Sequence, residues 1–123
     1  MALANTGYEA GSADCSLPQA VAARLGLWPS PPGSHLHTVR GYGGVLQVHK
    51  LADAVRVRVI PSDRQGLEAL AGVLITGTDD EVILSDTLLD ALGIVPLVPG
   101  RGIWRFSDEP DSQRRPSSPR ETW

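Results

Sequence analysis

The sequence predicts a mainly β fold with two short helices, built as one small domain. Short apolar and β-branched runs recur along the chain, and segments rich in glycine or proline separate them. The run 54–60 alternates apolar and charged residues with the period of a half-buried strand. A chain of 123 residues has room for a single modest hydrophobic core.

Eight runs have the composition or the alternation that is typical of β-strands. They are residues 2–4, 35–40, 45–51, 54–60, 71–75, 82–84, 94–98 and 103–106. In the run 54–60, the three valines lie on one face and the two arginines on the other. The runs 71–75 and 82–84 are continuously apolar, which indicates strands that are covered on both faces.

Two short helices are predicted from residues that begin and end helices. Pro18 suits the first turn of one helix, and Gly26 is placed to end it. Ser85 is placed to cap a second helix over Asp86 to Leu92, which Gly93 ends.

Composition and charge exclude several classes of protein. The formal net charge of −3 gives no electrostatic reason to expect a nucleic-acid partner. No apolar run is long enough to cross a bilayer, so we expect no membrane partner, and we expect no signal peptide. Cys15 is the only cysteine, which excludes an internal disulfide and a thiolate-type zinc site and favours a reducing, cytoplasmic location.

The composition changes after Phe106. Residues 107–123 are rich in serine, proline, arginine and acidic residues, with almost no apolar side chain to bury. We therefore expect a disordered C-terminal tail over 107–123, because packing there does not offset the loss of conformational entropy. The folded domain is predicted to span residues 1–106.

Four segments carry a family resemblance through their order and spacing. They are Asn5-Thr6-Gly7 within the loop 5–16, the glycine-rich tip Gly41-Tyr42-Gly43-Gly44, the apolar strand and helix of 82–94, and the closing run 102–106. Over roughly residues 2–106, the chain resembles the retroviral-type (retropepsin-like, clan AA) aspartic proteases. The resemblance implies a closed β-barrel, the acid-protease fold, with one flap hairpin that ends in the glycine-rich tip.

The resemblance also implies a mechanism. In this family a homodimer brings two Asp-Thr-Gly loops together, and the two carboxylates share one proton because like charges about 3 Å apart cannot both ionise. One acts as a base on a water molecule while the other acts as an acid toward the scissile carbonyl. Carried over, Asn5 holds the catalytic position, Thr6 braces the paired loops, and Gly7 allows close backbone approach. The implied partners are a peptide or protein substrate under the flap and a second copy of the chain, with no cofactor or metal.

The chain departs from this family at the decisive position. Asn5 stands where the family has its catalytic Asp, and a carboxamide does not ionise near neutral pH. We therefore expect an inactive homologue, whether Asn5 is natural, was introduced for study, or belongs to a fold that only resembles the family. Only four residues precede Asn5, so either the true start lies upstream or the dimer is built without the usual first strand.

A competing function and two other chemistries remain open. The competing function is a non-catalytic β-rich module that dimerises or binds extended peptides by strand addition. Asp14 lies in the loop of Asn5, but an exposed loop carboxylate is the ordinary case. Three histidines, His35, His37 and His49, lie on two strands of one ribbon. They could hold a metal, although a solvated strand face explains them equally well.

Overall fold

The computed structural model describes most of the chain. The described residues are 2–4, 10–29, 31–32, 34–41, 44–77 and 80–123, with the backbone alone at residues 2–4, 41 and 46. Within these ranges the fold is mainly β, with nine strands, two short α-helices and one 3₁₀ turn. The prediction of a mainly β fold with two short helices is thus confirmed.

The helices and most of the strands follow the predicted order along the chain. The strands are β1 Ala2–Ala4, β2 Asp14–Pro18, β3 His35–Gly41, β4 Gly44–Arg58, β5 Glu68–Thr76, β6 Val82–Leu84, β7 Ile94–Val98, β8 Ile103–Phe106 and β9 Arg115–Pro116. The helices are α1 Gln19–Arg24 and α2 Asp86–Ala91, and the 3₁₀ turn is Pro99–Arg101. Two of these strands, β2 and β9, are absent from the prediction.

The strands form two sheets. Sheet A has six strands in the order β1-β6-β2-β5-β4-β3 and is curled into a half-barrel. Strand β2 is parallel to β5 and antiparallel to β6, whereas β1 is parallel to β6. Sheet B has three antiparallel strands in the order β7-β8-β9. Among the described residues, β1 and β3 are therefore the two edges of sheet A.

Strand β4 merges two predicted strands into one. The runs 45–51 and 54–60 are predicted as separate strands, but β4 covers the first and continues into the second as far as Arg58, with an irregular register between Leu51 and Val55. Asp53 adopts a positive φ of 47° at this bulge, a conformation that Asp tolerates better than most residues. The prediction for the alternating half is confirmed, since its valines pack against the core while its arginines are exposed.

One hydrophobic core joins sheet A to the two helices. Period-2 alternation directs Cys15 and Leu17 of β2, and Val73 and Ile75 of β5, toward it. The caps of α2 agree with the prediction. Ser85 Oγ accepts a hydrogen bond from the Leu88 N–H at 3.2 Å. Gly93 follows the helix with a φ of +67°.

The C-terminal segment differs from the predicted disordered tail. Arg115 in β9 is buried, and its guanidinium donates to Asp63 at 2.7 and 2.9 Å and to Glu109 at 2.6 and 2.8 Å. The same guanidinium lies 5.1 Å from the ring centre of Phe106 and 5.8 Å from that of Trp104. The prediction counted only apolar side chains, whereas charged hydrogen bonds and cation–π contacts hold this segment. We call these five residues the Arg115 cluster.

A second arginine, Arg64, contacts the Arg115 cluster. Arg64 forms a bidentate pair with Asp108 at 2.7 and 2.9 Å, and its guanidinium lies 4.4 Å from the Phe106 ring centre. Farther along, Arg120 pairs with Glu81, and the backbone N–H of Trp123 donates to the Asp80 carbonyl at 2.8 Å. The C-terminal segment therefore runs from sheet B back to the start of β6.

The described helices are all short. None of them is long and apolar enough to cross a membrane.

Candidate functional site

The predicted catalytic and flap residues are only partly described by the structure. Asn5, Thr6 and Gly7 lie outside the described residues, as do Tyr42 and Gly43 of the flap tip. The other two tip residues, Gly41 and Gly44, pair with each other at the ends of β3 and β4. Gly44 has a φ of +102°, which only glycine adopts readily. The hairpin predicted at this position is thus present in β3 and β4.

The segment that carries Asn5 joins two strands on either side of β6. Ala4, the last residue of β1, is the partner of Leu84 on one side. Cys15, near the start of β2, is the partner of Leu84 on the other side. Strands β1 and β2 therefore lie on opposite sides of β6, and α2 begins just after the end of β6.

Hydrogen bonds fix the second half of this segment to the first turn of α2. The Thr87 hydroxyl donates to the Ala10 carbonyl at 2.6 Å. Asp14 and Ser85 exchange two bonds: the Asp14 N–H donates to Ser85 Oγ at 3.0 Å, and the Ser85 N–H donates to the Asp14 carbonyl at 2.9 Å. The Ser85 hydroxyl also donates to the Ser12 carbonyl at 3.4 Å. Ser85 thus caps the helix and anchors the segment with one side chain.

The expectation that Asp14 is an exposed loop carboxylate is wrong. Asp14 is 3% exposed, because it begins strand β2 and lies among neighbouring strands. Its Oδ2 accepts from the Ser12 hydroxyl at 2.8 Å and from Lys50 Nζ at 3.4 Å. A Cβ on Gly72 of β5 would come within 2.3 Å of Asp14 Oδ1. The carboxylate therefore occupies the space that the missing side chain of Gly72 leaves.

The face of β2 that carries Asp14 also holds a hydroxyl without a partner. Ser16 is 7% exposed, and its Oγ makes no hydrogen bond to the described residues. On the opposite face, the Cys15 thiol donates to the Gly72 carbonyl at an S···O distance of 3.6 Å. Burial, and secondarily the charge of Asp14, raise the pKa of the Cys15 thiol to about 12. Cys15 is thus a neutral core residue and not a nucleophile.

The three histidines do not share one face of the hairpin. His49 is paired with Leu36, and alternation then puts it on the face opposite His35 and His37. The His49 ring makes an edge contact with Trp28, with ring centres 5.5 Å apart. Across the described ranges, no group of three or more His, Cys, Asp or Glu residues is arranged to hold a metal ion.

Sequence reasoning missed the buried contacts of Asp14, Lys50 and Gly72. Residues 13–17 alternate small apolar and polar side chains, which is typical of a half-buried strand that begins before Ser16, but this pattern puts Asp14 on the polar face and does not predict its burial. The partner of Asp14 is not predictable in this way, because Lys50 lies two strands away in the sheet. Neither protein-family models nor curated proteins give a match for this chain.

Proposed function

We propose that this chain is a homologue of the retropepsin-type aspartic proteases, with a closed barrel and a flap, and that Asn5 leaves it without proteolytic activity. The observation that carries the proposal is the setting of the Asn5 segment. This segment links two strands that flank β6, and its base is fixed to the first turn of α2. The glycine-tipped hairpin of β3 and β4 and the order of the remaining strands give further support.

The proposed inactivity follows from the chemistry of the side chain at position 5. Peptide hydrolysis in this family needs a carboxylate that takes a proton from water and another that donates one. A carboxamide does neither, and general acid–base assistance is typically worth about 10²–10⁴ in rate. Asp14 does not replace the missing group, since its carboxylate is buried against Lys50 and Ser12.

The test of this proposal is to restore the carboxylate. Asn5→Asp should create peptide cleavage that is strongest at mildly acid pH and is blocked by pepstatin. Asn5→Gln, which keeps an amide, is the matched control and should stay inert. The proposal fails if the Asn5→Asp protein is dimeric, binds peptide and still cleaves nothing across the acid range.

Dimerisation provides a second test of the proposed site. Two apposed carboxylates repel each other near neutral pH, whereas two amides do not. The chain with Asn5 should therefore dimerise at least as tightly as the Asn5→Asp variant at pH 7. Sedimentation of both proteins measures this, and a clearly weaker dimer for the Asn5 form contradicts the proposed pairing of the two loops.

A second candidate function is peptide binding by strand addition without catalysis. The observation in its favour is strand β3, which among the described residues is an edge of sheet A, is seven residues long and pairs with β4 along one side. Such an edge offers backbone donors and acceptors to an extended peptide. A module of this kind gains no activity from Asn5→Asp, so the same experiment separates the two functions.

A further inference from the structure

One side of strand β3 faces no other strand among the described residues. It is an end strand of sheet A, and β4 is its partner on the other side. Leu36 on β3 is 60% exposed, and Val45 on β4 is 66% exposed. Large apolar side chains beside an open strand edge mark a place where another strand can pair.

The hydrogen bonds of sheet A determine which backbone groups point to this open side. The Gly72 N–H donates to the Ala13 carbonyl at 2.9 Å, on the β2 side of β5. Backbone groups of consecutive strand residues point in opposite directions, so Val73 directs its groups toward β4. Its partner there is Leu51, whose backbone groups therefore face β5.

The same alternation continues across β4 to β3. Lys50 precedes Leu51 and therefore faces β3, where its partner is His35. His35 faces β4 in turn, so the next residue of β3 faces the open side. The residues whose N–H and C=O groups point outward are Leu36, Thr38 and Arg40, and none of them is a proline.

The other sheet edges in the described ranges are short or carry a proline. Strand β1 has three residues, and β9 has two, of which one is Pro116. In sheet B, the Ser107 N–H donates to the Gly93 carbonyl, so alternation along β7 places the backbone nitrogen of Pro96 on the open side. Proline has no N–H to donate there. Of the described edges, β3 is thus the one best suited to pair with a further strand.

We propose that β3 is a contact between two copies of this chain, whose β3 strands pair antiparallel about a twofold axis at Thr38. In this register Thr38 lies opposite Thr38 of the second copy, and Leu36 lies opposite Arg40 of the second copy. All three outward residues then have backbone partners. Registers shifted by two residues leave at least one of the three without a partner inside β3.

The side chains favour a second copy as the partner. Arg40 is the only one of the three outward residues with a charge, and it faces Leu36 of the second copy rather than another arginine. Within its own copy Arg40 is paired with Val45, so its methylene groups lie between two exposed apolar side chains. On the other face, His37 lies opposite Val39 of the second copy. A second copy brings this complementary pattern by symmetry, whereas a foreign peptide needs a matching sequence of its own.

This contact goes beyond the proposed function. It uses β3 and not the loop of Asn5, so a chain that makes both contacts forms assemblies larger than a dimer. One strand from each copy gives a small interface, and the contact should therefore be weak. Sedimentation over roughly 10 to 500 µM protein covers the range in which such a contact forms.

The first test changes the backbone at the centre of the contact. Thr38→Pro removes an outward N–H and no bond to β4, so it should raise the dissociation constant about tenfold or more. Thr38→Val keeps the N–H and the β-branch, and should stay within about threefold of the parent protein. Thermal unfolding of both variants checks that the fold is intact.

The second test uses charge at an exposed position and does not depend on whether Thr38→Pro folds. Leu36→Lys places a cation opposite Arg40 of the second copy, and Leu36→Glu places an anion there. The lysine variant should dissociate about tenfold more readily than the glutamate variant. General repulsion predicts the reverse order, because the parent chain has a net charge of −3.

The third test is a cross-link between the two copies. Residues that form a hydrogen-bonded antiparallel pair have Cα atoms about 5.5 Å apart, so Thr38→Cys should form a disulfide-linked dimer with oxidised glutathione as the oxidant. Gln47→Cys on β4 is the control, since two such residues lie about 14 Å apart across the pair. Cys15 does not take part, because burial raises the pKa of its thiol to about 12.

The contact is overturned if the chain stays monomeric up to about 500 µM, or if cross-linking at positions 38 and 47 is equal. A monomeric chain leaves the edge to a foreign peptide, as in the second candidate function. Cross-linking at position 38 needs no catalysis and does not involve Asn5. An inert Asn5→Asp protein that cross-links refutes the protease lineage alone, whereas an active one that does not cross-link refutes the β3 contact alone.

Discussion

Two regions of the molecule hold their segments with different interactions. One is the Asp14 junction of sheet A, by which we mean Asp14 with Ser85, Lys50 and Gly72, and the other is the Arg115 cluster of sheet B. Each fixes a segment rich in small or polar residues to the rest of the fold. Around Asp14, backbone groups and the Ser85 hydroxyl make the bonds inside a buried region. Around Arg115, one guanidinium serves two carboxylates, of which Asp63 is largely exposed.

The difference predicts how each region responds to mutation and to solvent. A hydrogen-bonded group that is buried loses the most when its partner disappears, because no water takes its place. Charged pairs near the surface depend on pH and on salt, since protons and ions compete with them. The Asp14 junction should therefore be sensitive to substitution, and the Arg115 cluster should be sensitive to conditions.

The largest effect is expected from Gly72→Ala. The added Cβ would lie 2.3 Å from Asp14 Oδ1 and 3.3 Å from the Leu51 carbonyl oxygen, so the carboxylate has to leave its position. We expect a loss of about 3 kcal/mol in the free energy of unfolding, measured by urea denaturation. Gly100→Ala, at a position where an added Cβ would meet no atom of the described residues within 4 Å beyond its chain neighbours, should stay within about 0.5 kcal/mol of the parent protein. Equal, small losses in both variants would contradict the close packing of Asp14 on β5.

A smaller loss is expected from Ser85→Ala. Ser85 is completely buried, and its Oγ accepts from the N–H groups of Asp14 and Leu88. Loss of this acceptor should lower the free energy of unfolding by about 2 kcal/mol, because a helix cap disappears and buried donors stay unpaired. Thermal unfolding measures the change, with the exposed Ser118→Ala as the control. A Ser85→Ala protein as stable as that control would remove Ser85 as the anchor of the Asn5 segment.

The same contrast explains what the sequence could and could not predict. Ser85 and Gly93 were predictable because capping depends on residues a few positions apart in the chain. The alternation of 54–60 likewise reports local periodicity. Arg115 was not predictable, because its partners Asp63 and Trp104 come together only in the folded chain. Periodicity also does not predict the bulge at Asp53, which allows β4 to continue as one strand where two were expected.

The Arg115 cluster should lose its contribution to stability in acid. Hydrogen bonds from Arg115 hold the pKa values of Glu109 and Asp63 below the usual carboxyl range. A depressed folded pKa stabilises the protein above the unfolded value of about 4, and that stability disappears as pH falls through the folded pKa. Arg115→Gln should therefore lower the unfolding midpoint at pH 7, by less than Ser85→Ala does, and the difference from the parent should shrink toward pH 3.

High salt should reduce the difference in unfolding midpoint between the parent protein and Arg115→Gln at pH 7, because ions screen charged pairs near the surface. The exposed neighbour Arg114 offers the control Arg114→Gln, which should change the midpoint little at any pH. Unfolding midpoints at pH 7, 5 and 3, each with and without added sodium chloride, provide the measurement. A difference between parent and Arg115→Gln that stays constant from pH 7 to pH 3 would show that packing, not charge, holds the segment.

The last prediction concerns local opening, and the effect of Arg115→Gln on it is expected to be the smallest of all. The rate at which the Cys15 thiol is labelled measures whether sheet A opens independently of sheet B. The thiol is 2% exposed with a pKa of about 12, so iodoacetamide at pH 8 reaches a reactive thiolate only when sheet A opens. Ser85→Ala should speed the labelling of Cys15 on the order of tenfold or more, since it weakens the junction beside this residue. Arg115→Gln should change the rate by less than about twofold, because its contacts lie on sheet B. Equal acceleration of Cys15 labelling by both substitutions would mean that the two sheets unfold as one unit. The two regions would then differ in the interactions that hold them, but they would not open independently.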